Sequence, residues 1–266
     1  MDRVLAACRQ ARAGRIVVLT GAGISAESGI PTFRGEEGYW TIGSREYRPQ
    51  ELATHDAFEA MPWSVWAWYL YRVCVCRGAE PNAAHHALVR LDAALGERCS
   101  LITQNVDGLH RRAGSPDART FPIHGDISLM RCANECTSAR YPLPEVPALG
   151  RGQVVPDATK ALLVCPKCGG MSRPHVLWFD EMYDEPRYHY QTIAAKAAKA
   201  ALLIVVGTSA QTTGPWTVMQ RAAGAGATIV DVNPEANPFS EIAAASGGWA
   251  KAPATTAIPQ IVDAIL

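Results

Sequence analysis

The sequence predicts an α/β fold built on a doubly wound parallel sheet of the nucleotide-binding kind. Four short apolar runs have the length and composition of buried strands: residues 16–19, 99–103, 201–206 and 227–232. Turns of glycine or polar residues follow these runs, and open parallel sheets place their ligand contacts at such turns. Segments with helical patterns lie between the runs, as in chains built from βαβ units.

The length and charge of the chain limit its number of domains and its classes of binding partner. The chain has 266 residues, enough for one large domain or for a large domain with a smaller insertion. Lys and Arg number 25, as do Asp and Glu, so bulk attraction to nucleic acid or to a membrane surface is not expected, although a local basic patch is compatible with this balance. No apolar run reaches the roughly 18 residues that span a bilayer, and the first residues lack a signal-peptide pattern. We therefore expect a cytoplasmic protein.

The first strand leads into a glycine-rich turn. A short helix is expected over residues 1–13, before this strand. Gly21, Gly23 and Ala26 fit the G-x-G-x-x-G/A spacing, which lets the backbone approach a pyrophosphate. Amides at the start of a helix beyond the turn would face the phosphates. A tight strand-to-helix turn without a ligand is equally compatible with the glycines alone.

The segment after this turn differs from that of a dehydrogenase. A dinucleotide-binding dehydrogenase continues into a second strand that ends in an acidic ribose-binding residue about 20 residues on. Residues 28–48 are instead polar, contain Gly and Arg, and hold no apolar run. This composition predicts a long loop that covers a cofactor, because structureless loops of this length are usually functional or disordered.

A largely apolar helix carries a possible anion site. Short helical pieces are expected over residues 49–62, and residues 63–76 are apolar nearly all round, which predicts a helix packed on most sides. Tyr69 and Arg72 are three residues apart and share one face of it. They are either a core tyrosine beside an arginine that reaches solvent, or a phenol and a guanidinium that bind a carboxylate together.

Polar residues after the next two strand-like segments are candidates for ligand contacts. Asn82 is a plausible cap for the helix that precedes strand 99–103. Gln104 and Asn105 follow that strand, and their amides both donate and accept hydrogen bonds, which suits ribose hydroxyls and a carboxamide. The extended segment 120–123 ends at His124, the best candidate for a general base at the mouth of a cleft.

Four of the eight cysteines form two close pairs in the sequence, Cys132 with Cys136 and Cys165 with Cys168. Two such pairs are typical of tetrahedral zinc, and four protein ligands leave no open position, so we expect a structural metal. A disulfide framework is the alternative, which a reducing compartment and the size of the chain disfavour. A nucleic-acid-binding zinc ribbon is a further alternative, but few basic or aromatic residues lie between the pairs.

The last third of the chain adds a possible peptide edge and two further ligand turns. Residues 173–181 predict a strand that ends in an exposed turn, where Trp178 and Phe179 are either core residues or part of an edge that pairs with a substrate peptide. Helices are expected over residues 190–199 and 259–266. Polar turns follow the last two predicted strands: Gly207, Thr208 and Ser209 in one, and Asn233 and Glu235 in the other.

Together these motifs resemble the sirtuin family of NAD-dependent protein deacylases along nearly the whole chain. The resemblance rests on the four cysteines and on segments in the right order: 21–25, 30–34, 103–107, 124–125, 176–179, 207–209 and 233–235. It implies a Rossmann-like large domain and a small domain made of a zinc module and a helical insertion. NAD and an acyl-lysine protein or peptide would meet in the cleft between them.

The resemblance also implies domain limits and site residues. Residues 1–35, 86–130 and 174–266 would form the Rossmann-like domain, residues 36–85 the helical part, and residues 131–173 the zinc module. The cofactor would contact Gly21, Ala22, Gly23, Ile24, Glu27, Phe33, Arg34, Gln104, Asn105, Asp107, Gly207, Thr208, Ser209, Asn233, Glu235 and Ala252. The substrate would contact Tyr69, Arg72, Val176, Trp178 and Phe179, and one structural zinc would bind to the four cysteines.

In the family's mechanism the acyl oxygen attacks the anomeric carbon as nicotinamide leaves. His124 would deprotonate a ribose hydroxyl that attacks the acyl carbon, with Asn105 as the second catalytic residue, and water would release lysine and O-acyl-ADP-ribose. Tyr69 and Arg72 match the pair found in the branch that accepts succinyl-, malonyl- or glutaryl-lysine. An arginine buried there would otherwise need another anion.

Two segments depart from the family pattern, and two other functions stay open. The first cysteine pair has a three-residue spacer where two residues are usual, and residues 120–123 lack an acidic residue often found before the histidine. Mono-ADP-ribosyl transfer is one alternative, against which the intact His124 argues. A non-catalytic sensor that binds NAD or ADP-ribose is the other, and it would release no nicotinamide. A dehydrogenase is least favoured.

Overall fold

The computed structural model describes residues 1–31, 40–42 and 45–266. Its strands in chain order are β1 (Ile16–Thr20), β2 (Trp40–Ile42), β3 (Arg45–Tyr47), β4 (Cys99–Thr103), β5 (Thr120–Pro122), β6 (Gly125–Cys132), β7 (Arg140–Pro142), β8 (Ser172–Val176), β9 (Leu202–Val206), β10 (Thr228–Val232) and β11 (Gly248–Ala250). Its α-helices are α1 (Asp2–Ala11), α2 (Pro49–Leu52), α3 (His55–Ala60), α4 (Pro62–Gly78), α5 (Ala83–Leu95), α6 (Leu109–Ala113), α7 (Asp157–Lys160), α8 (Glu185–Tyr188), α9 (Tyr190–Ala197), α10 (Thr213–Gly224), α11 (Pro238–Ala244) and α12 (Ala254–Ile265).

The main sheet is parallel and has the strand order β11-β10-β9-β1-β4-β5. The chain runs outward from β1 through β4 to β5, then returns to β9 and runs outward in the opposite direction to β11. The strand order therefore reverses between β1 and β9, and ligands of such sheets bind outside the carboxyl ends at that point. Thr20 pairs with Thr103 on one side and with Val206 on the other, so the three central strands end level. The predicted doubly wound sheet is confirmed.

Helices cover both faces of this sheet. One face packs against α1, α5 and α12 through a core that includes Val4, Leu88 and Ile261. The other face packs against α9, α10 and α11 through Ile193, Val218 and Phe239. Every residue of β1, β4 and β9 is buried, since both sides of each strand are covered. This double burial explains why these strands appear in the sequence as continuous apolar runs.

A second core lies around α4 and the antiparallel sheet β7-β6-β8. The indole Nε1 of Trp66 on α4 donates a hydrogen bond of 2.9 Å to the carbonyl oxygen of Ser172 on β8. Cys132 ends β6, and the remaining three cysteines of the cluster lie between β6 and β8. The smaller part of the molecule therefore combines a helix with a cysteine-bearing sheet.

Three local features differ from the sequence-based expectation. Two 3₁₀ turns, Ala22–Ile24 and Ala26–Ser28, follow β1 in place of the expected α-helix. Within the segment expected to be a loop, β2 and β3 pair as antiparallel strands. The last helix begins at Ala254 and holds Pro259 in its interior, because its buried face starts before the proline. Among the described helices, none has the length and apolar character needed to cross a bilayer.

Candidate active site

Two glycine turns meet at the carboxyl ends of β1 and β9. The Gly21 amide donates to the Val206 carbonyl (2.9 Å), and the Gly23 amide donates to the Gly207 carbonyl (2.8 Å). Gly207 has a φ of 60°, and a Cβ there would lie 2.6 Å from the backbone of Gly23. Glycine is therefore required for the two turns to pack against each other. The predicted glycine turn is present at this edge of the sheet, but 3₁₀ turns rather than an α-helix follow it, and its contact with a pyrophosphate stays a prediction.

Side chains from three strand ends are joined beside these turns. The Gln104 side-chain amide donates to the hydroxyl of Thr208 at 2.9 Å and to the carbonyl of Thr20 at 3.2 Å. The Asn233 side-chain amide donates to the Thr208 carbonyl at 3.0 Å. Residues that follow β4, β9 and β10 thus form one hydrogen-bonded floor, which brings together three of the predicted cofactor-binding residues.

A chain of three polar side chains extends from this floor. The Asn105 side-chain amide donates to Ser25 Oγ (3.0 Å), and the Ser25 hydroxyl donates to Asp107 Oδ2 (2.7 Å). The other carboxylate oxygen of Asp107 accepts the Leu109 amide at 2.9 Å. Burial raises the pKa of Asp107, and these hydrogen bonds oppose that effect. Ser25 holds Asn105 and Asp107 in one arrangement; it belongs to the motif 21–25 but was not among the predicted site residues.

The other predicted cofactor residues are more dispersed. The Glu27 carboxylate accepts from the amide (3.2 Å) and hydroxyl (2.6 Å) of Thr255, in the first turn of α12. Ile24 is buried in the core beneath the sheet. Ala22, Ser209 and Ala252 are half-buried, whereas Glu235 is exposed. Phe33 and Arg34 lie outside the described residues.

His124 lies between β5 and β6, at the same edge of the main sheet. Its Nδ1 is 3.0 Å from the carbonyl oxygen of Gln104, and a carbonyl accepts only, so Nδ1 carries a proton and donates. The neutral ring then has its lone pair at Nε2. Burial lowers the pKa of His124 to about 4, although the hydrogen bond to Gln104 opposes this shift. The imidazole is therefore neutral near pH 7, as a general base requires.

The Nε2 atom of His124 contacts a residue that the sequence analysis did not identify. The hydroxyl of Tyr183 lies 2.7 Å from Nε2. Tyr183 is 59 residues further along the chain, between β8 and α8. No local pattern marks this tyrosine, so the contact emerges only from the fold.

Tyr69 and Arg72 lie on α4, as predicted, in different surroundings. Tyr69 is buried, and its hydroxyl accepts a hydrogen bond of 2.9 Å from Trp178 Nε1. Arg72 is half-buried, with its guanidinium carbon 5.3 Å from the centre of the Trp68 ring. Burial raises the pKa of Tyr69, and the nearby Arg72 charge lowers that pKa and also the pKa of Asp107. The positive charge of α4 therefore lies near both the buried phenol and the Asn105–Ser25–Asp107 chain.

The predicted peptide edge includes one exposed aromatic ring. Val176 ends β8 opposite Gly125, and both it and Trp178 are buried. The Arg173 guanidinium lies 3.3 Å from the centre of the Trp178 ring. Phe179 is 52% exposed, and its amide donates to the Ala53 carbonyl at 2.9 Å. Trp178 therefore packs in the core, whereas Phe179 presents its ring to solvent.

The four cysteines of the cluster come together, with all four sulfur atoms within 4.8 Å of one another. The Cys132–Cys168 and Cys136–Cys165 sulfur pairs are 3.7 Å and 3.6 Å apart. A tetrahedral site with Zn–S bonds of about 2.3 Å has sulfur–sulfur edges of about 3.8 Å. The cluster therefore fits a structural zinc ion. All eight cysteines lie in the described part of the chain and none of them forms a disulfide there, which argues against the disulfide framework.

A family profile and individual known proteins match this chain over most of its length. The Sir2 family profile matches residues 21–214. An NAD-dependent protein deacylase of Thermus thermophilus is 41% identical over 238 residues, which cover 88% of this chain and 85% of the relative. One from Aquifex aeolicus is 41% identical over 232 residues, 86% of this chain and 87% of the relative.

Solved structures with the same fold include complexes with NAD and with 2′-O-acetyl ADP ribose. A mutant Sir2 homologue in complex with 2′-O-acetyl ADP ribose has a TM-score of 0.81 and 33% identity, covering all (100%) of this chain and 96% of that one. A Sir2 homologue in complex with NAD has a TM-score of 0.77 and 33% identity, with coverage of 100% and 93%.

Proposed function

The chain belongs to the Sir2 family of NAD-dependent protein deacylases, and we propose that it removes succinyl and malonyl as well as acetyl groups from protein lysines. The products are nicotinamide, O-acyl-ADP-ribose and free lysine. Bound NAD supplies the electrophilic ribose carbon that accepts the acyl oxygen. The chain's own residues bind the dinucleotide, hold the reacting groups together and move one proton.

The turns at the carboxyl ends of β1 and β9 would hold the dinucleotide. Support comes from the packed glycine turns around Gly23 and Gly207, where the two backbones approach each other closely. Gln104, Thr208 and Asn233 form the adjoining polar floor. We also assign cofactor contacts to Phe33 and Arg34 by their position in the family motif.

His124 is the general base, and its geometry is the observation that carries the proposal. The hydrogen bond from Nδ1 to the Gln104 carbonyl fixes the tautomer, so Nε2 is the atom that takes a proton from a ribose hydroxyl. The low pKa keeps this atom unprotonated at neutral pH. Asn105, held by Ser25 and Asp107, is positioned to orient the nicotinamide ribose.

Acyl specificity comes from α4. The Arg72 guanidinium carries five N–H groups, and the Tyr69 hydroxyl accepts from Trp178 and retains its own proton to donate. Both groups suit the distal carboxylate of a succinyl or malonyl chain. The exposed Phe179 and the residues after β8 pair with the peptide that carries the modified lysine.

The thiols support a cytoplasmic location. Eight free cysteines, four of them arranged for zinc, persist in a reducing environment such as the cytoplasm. The zinc is structural because all four positions of a tetrahedral site are filled by protein ligands. It holds the segment between β6 and β8 and takes no part in the reaction.

The test incubates the protein with NAD and paired peptides bearing acetyl-lysine or succinyl-lysine, and measures nicotinamide and deacylated peptide together. The proposal is supported if each of the two peptides gives one nicotinamide for every deacylated peptide. His124→Ala is expected to abolish both products. Nicotinamide without deacylated peptide would indicate ADP-ribosyl transfer or NAD hydrolysis. Binding of NAD without either product would indicate a sensor.

A further inference from the structure

Tyr183 contacts the proposed base from a part of the chain that no motif includes. Its hydroxyl is 2.7 Å from His124 Nε2, and the two rings have centroids 5.8 Å apart. The residue follows an exposed turn in which Phe179 and Met182 are 52% and 88% exposed. Tyr183 itself is half-buried, so the turn changes there from surface to interior.

The direction of this hydrogen bond follows from the other side of the imidazole. Because Nδ1 donates to the Gln104 carbonyl, Nε2 of the neutral ring is an acceptor. Burial raises the pKa of Tyr183 to about 12, so the phenol keeps its proton at neutral pH. Tyr183 is therefore the donor and Nε2 the acceptor.

Neighbouring residues hold the Tyr183 ring in this position. It stacks on Tyr190 with centroids 5.4 Å apart, and Tyr188 meets it edge-on at 6.5 Å. On another side the ring lies against Gly214, where an added Cβ would come within 2.8 Å of the ring. The contact with His124 thus belongs to a packed aromatic cluster and is not the chance position of a surface side chain.

We propose that Tyr183 is a positioning residue that caps His124, so that a ribose hydroxyl of the cofactor has to displace the Tyr183 hydroxyl from Nε2. The inference rests on the proposed function, in which Nε2 takes the proton of that ribose hydroxyl. An imidazole nitrogen has one lone pair and accepts one strong hydrogen bond at a time. The phenol and the ribose therefore compete for a single acceptor, and the cap lowers affinity for the ribose.

ADP-ribose binding measured by isothermal titration calorimetry tests this competition without any catalytic step. Tyr183→Phe keeps the ring and removes the competing donor, so ADP-ribose should bind about 2- to 10-fold more tightly than to the wild type, the equivalent of one hydrogen bond. Tyr190→Phe is the matched control. Its hydroxyl bonds Thr217 at 3.0 Å, and its ring belongs to the same cluster, so its affinity should equal that of the wild type.

Titration of His124 by NMR measures the pKa of this residue. A purely structural role of Tyr183 would leave that pKa unchanged. The phenol donates to the neutral imidazole and therefore lowers the pKa of His124, so Tyr183→Phe should raise this pKa while Tyr190→Phe should not. In a His124→Ala background, Tyr183→Phe should no longer tighten ADP-ribose binding. A double-mutant cycle of this kind isolates the pair from other effects of the substitution.

Three results would overturn the cap: unchanged or weaker ADP-ribose binding by Tyr183→Phe, equal tightening by Tyr190→Phe, or tightening that persists without His124. Failure of the proposed function has a different signature. If the proposed function fails, the wild type would still bind ADP-ribose and the variants would still differ from it in affinity as described. The wild type would, however, release no deacylated peptide from an acyl-lysine substrate.

Discussion

The hydrogen bond between Tyr69 and Trp178 links α4 to the segment after β8, and its removal has a calculable cost. In Tyr69→Phe the ring stays, but the indole N–H of Trp178 loses its acceptor at 2.9 Å. Trp178 is 1% exposed, so solvent does not replace the lost partner. An unsatisfied buried donor costs about 1–3 kcal/mol.

For a chain of this size, each kcal/mol lowers the melting temperature by about 2–4 °C. We therefore expect Tyr69→Phe to melt about 2–12 °C below the wild type in differential scanning calorimetry. A cycle with Trp178→Phe separates the hydrogen bond from packing. The Tyr69→Phe substitution should cost less in the Trp178→Phe background, because no indole donor remains there. An unchanged melting temperature for Tyr69→Phe, or an equal loss in both backgrounds, would refute the reasoning.

Three further predictions follow from other parts of the structure. Gly207→Ala forces a side chain into a left-handed backbone 2.6 Å from Gly23, so NAD binding measured by calorimetry should be lost, and retained wild-type affinity would contradict the interlocked turns. Elemental analysis should find one zinc per chain, Cys165→Ser should lose it, and Cys74→Ser should keep it; zinc loss by both variants would contradict the assigned ligands. Burial lowers the pKa values of His85, His110 and His175 to about 4, 3 and 3, so below about pH 6.5 these three histidines bind more protons in the unfolded chain than in the folded one, an effect that the raised pKa of Asp231 opposes only in part. Urea denaturation should therefore give a free energy of unfolding that falls as pH drops from 7 to 5, by up to about 1.36 kcal/mol per pH unit for each histidine, and a flat profile would contradict this.

The main sheet could be predicted because its central strands are buried on both faces. Such strands form unbroken apolar runs, and β4 occupies the same residues as its predicted run. The last helix was predicted to begin at Pro259, because residues 259–266 have an amphipathic pattern. The helix actually begins at Ala254, because Ala257 and Ile258, which precede the proline, are buried in the core, and only the packed structure reveals this.

The site was predicted in part, and its limits have a physical cause. Gln104, His124 and the four cysteines were found because each lies in a short motif of characteristic chemistry. The link through Ser25 and the contact of Tyr183 with His124 join residues 80 to 82 and 59 positions apart, respectively. Neither depends on spacing along a helix or strand, so no local pattern contains it. For Trp178 the sequence left core and surface open, and burial against Tyr69 and Arg173 places it in the core.

The most direct test of the proposed acyl specificity compares kcat/KM for succinyl-lysine and acetyl-lysine peptides in Arg72→Met. A hydrogen bond to a charged group contributes about 1.5–3 kcal/mol, so the succinyl value should fall about 10- to 100-fold while the acetyl value is maintained. Arg77→Met changes an exposed arginine of the same helix and should leave both values unchanged. An equal fall for the two peptides, or no fall for succinyl-lysine, would contradict the assignment of Arg72 to the acyl carboxylate.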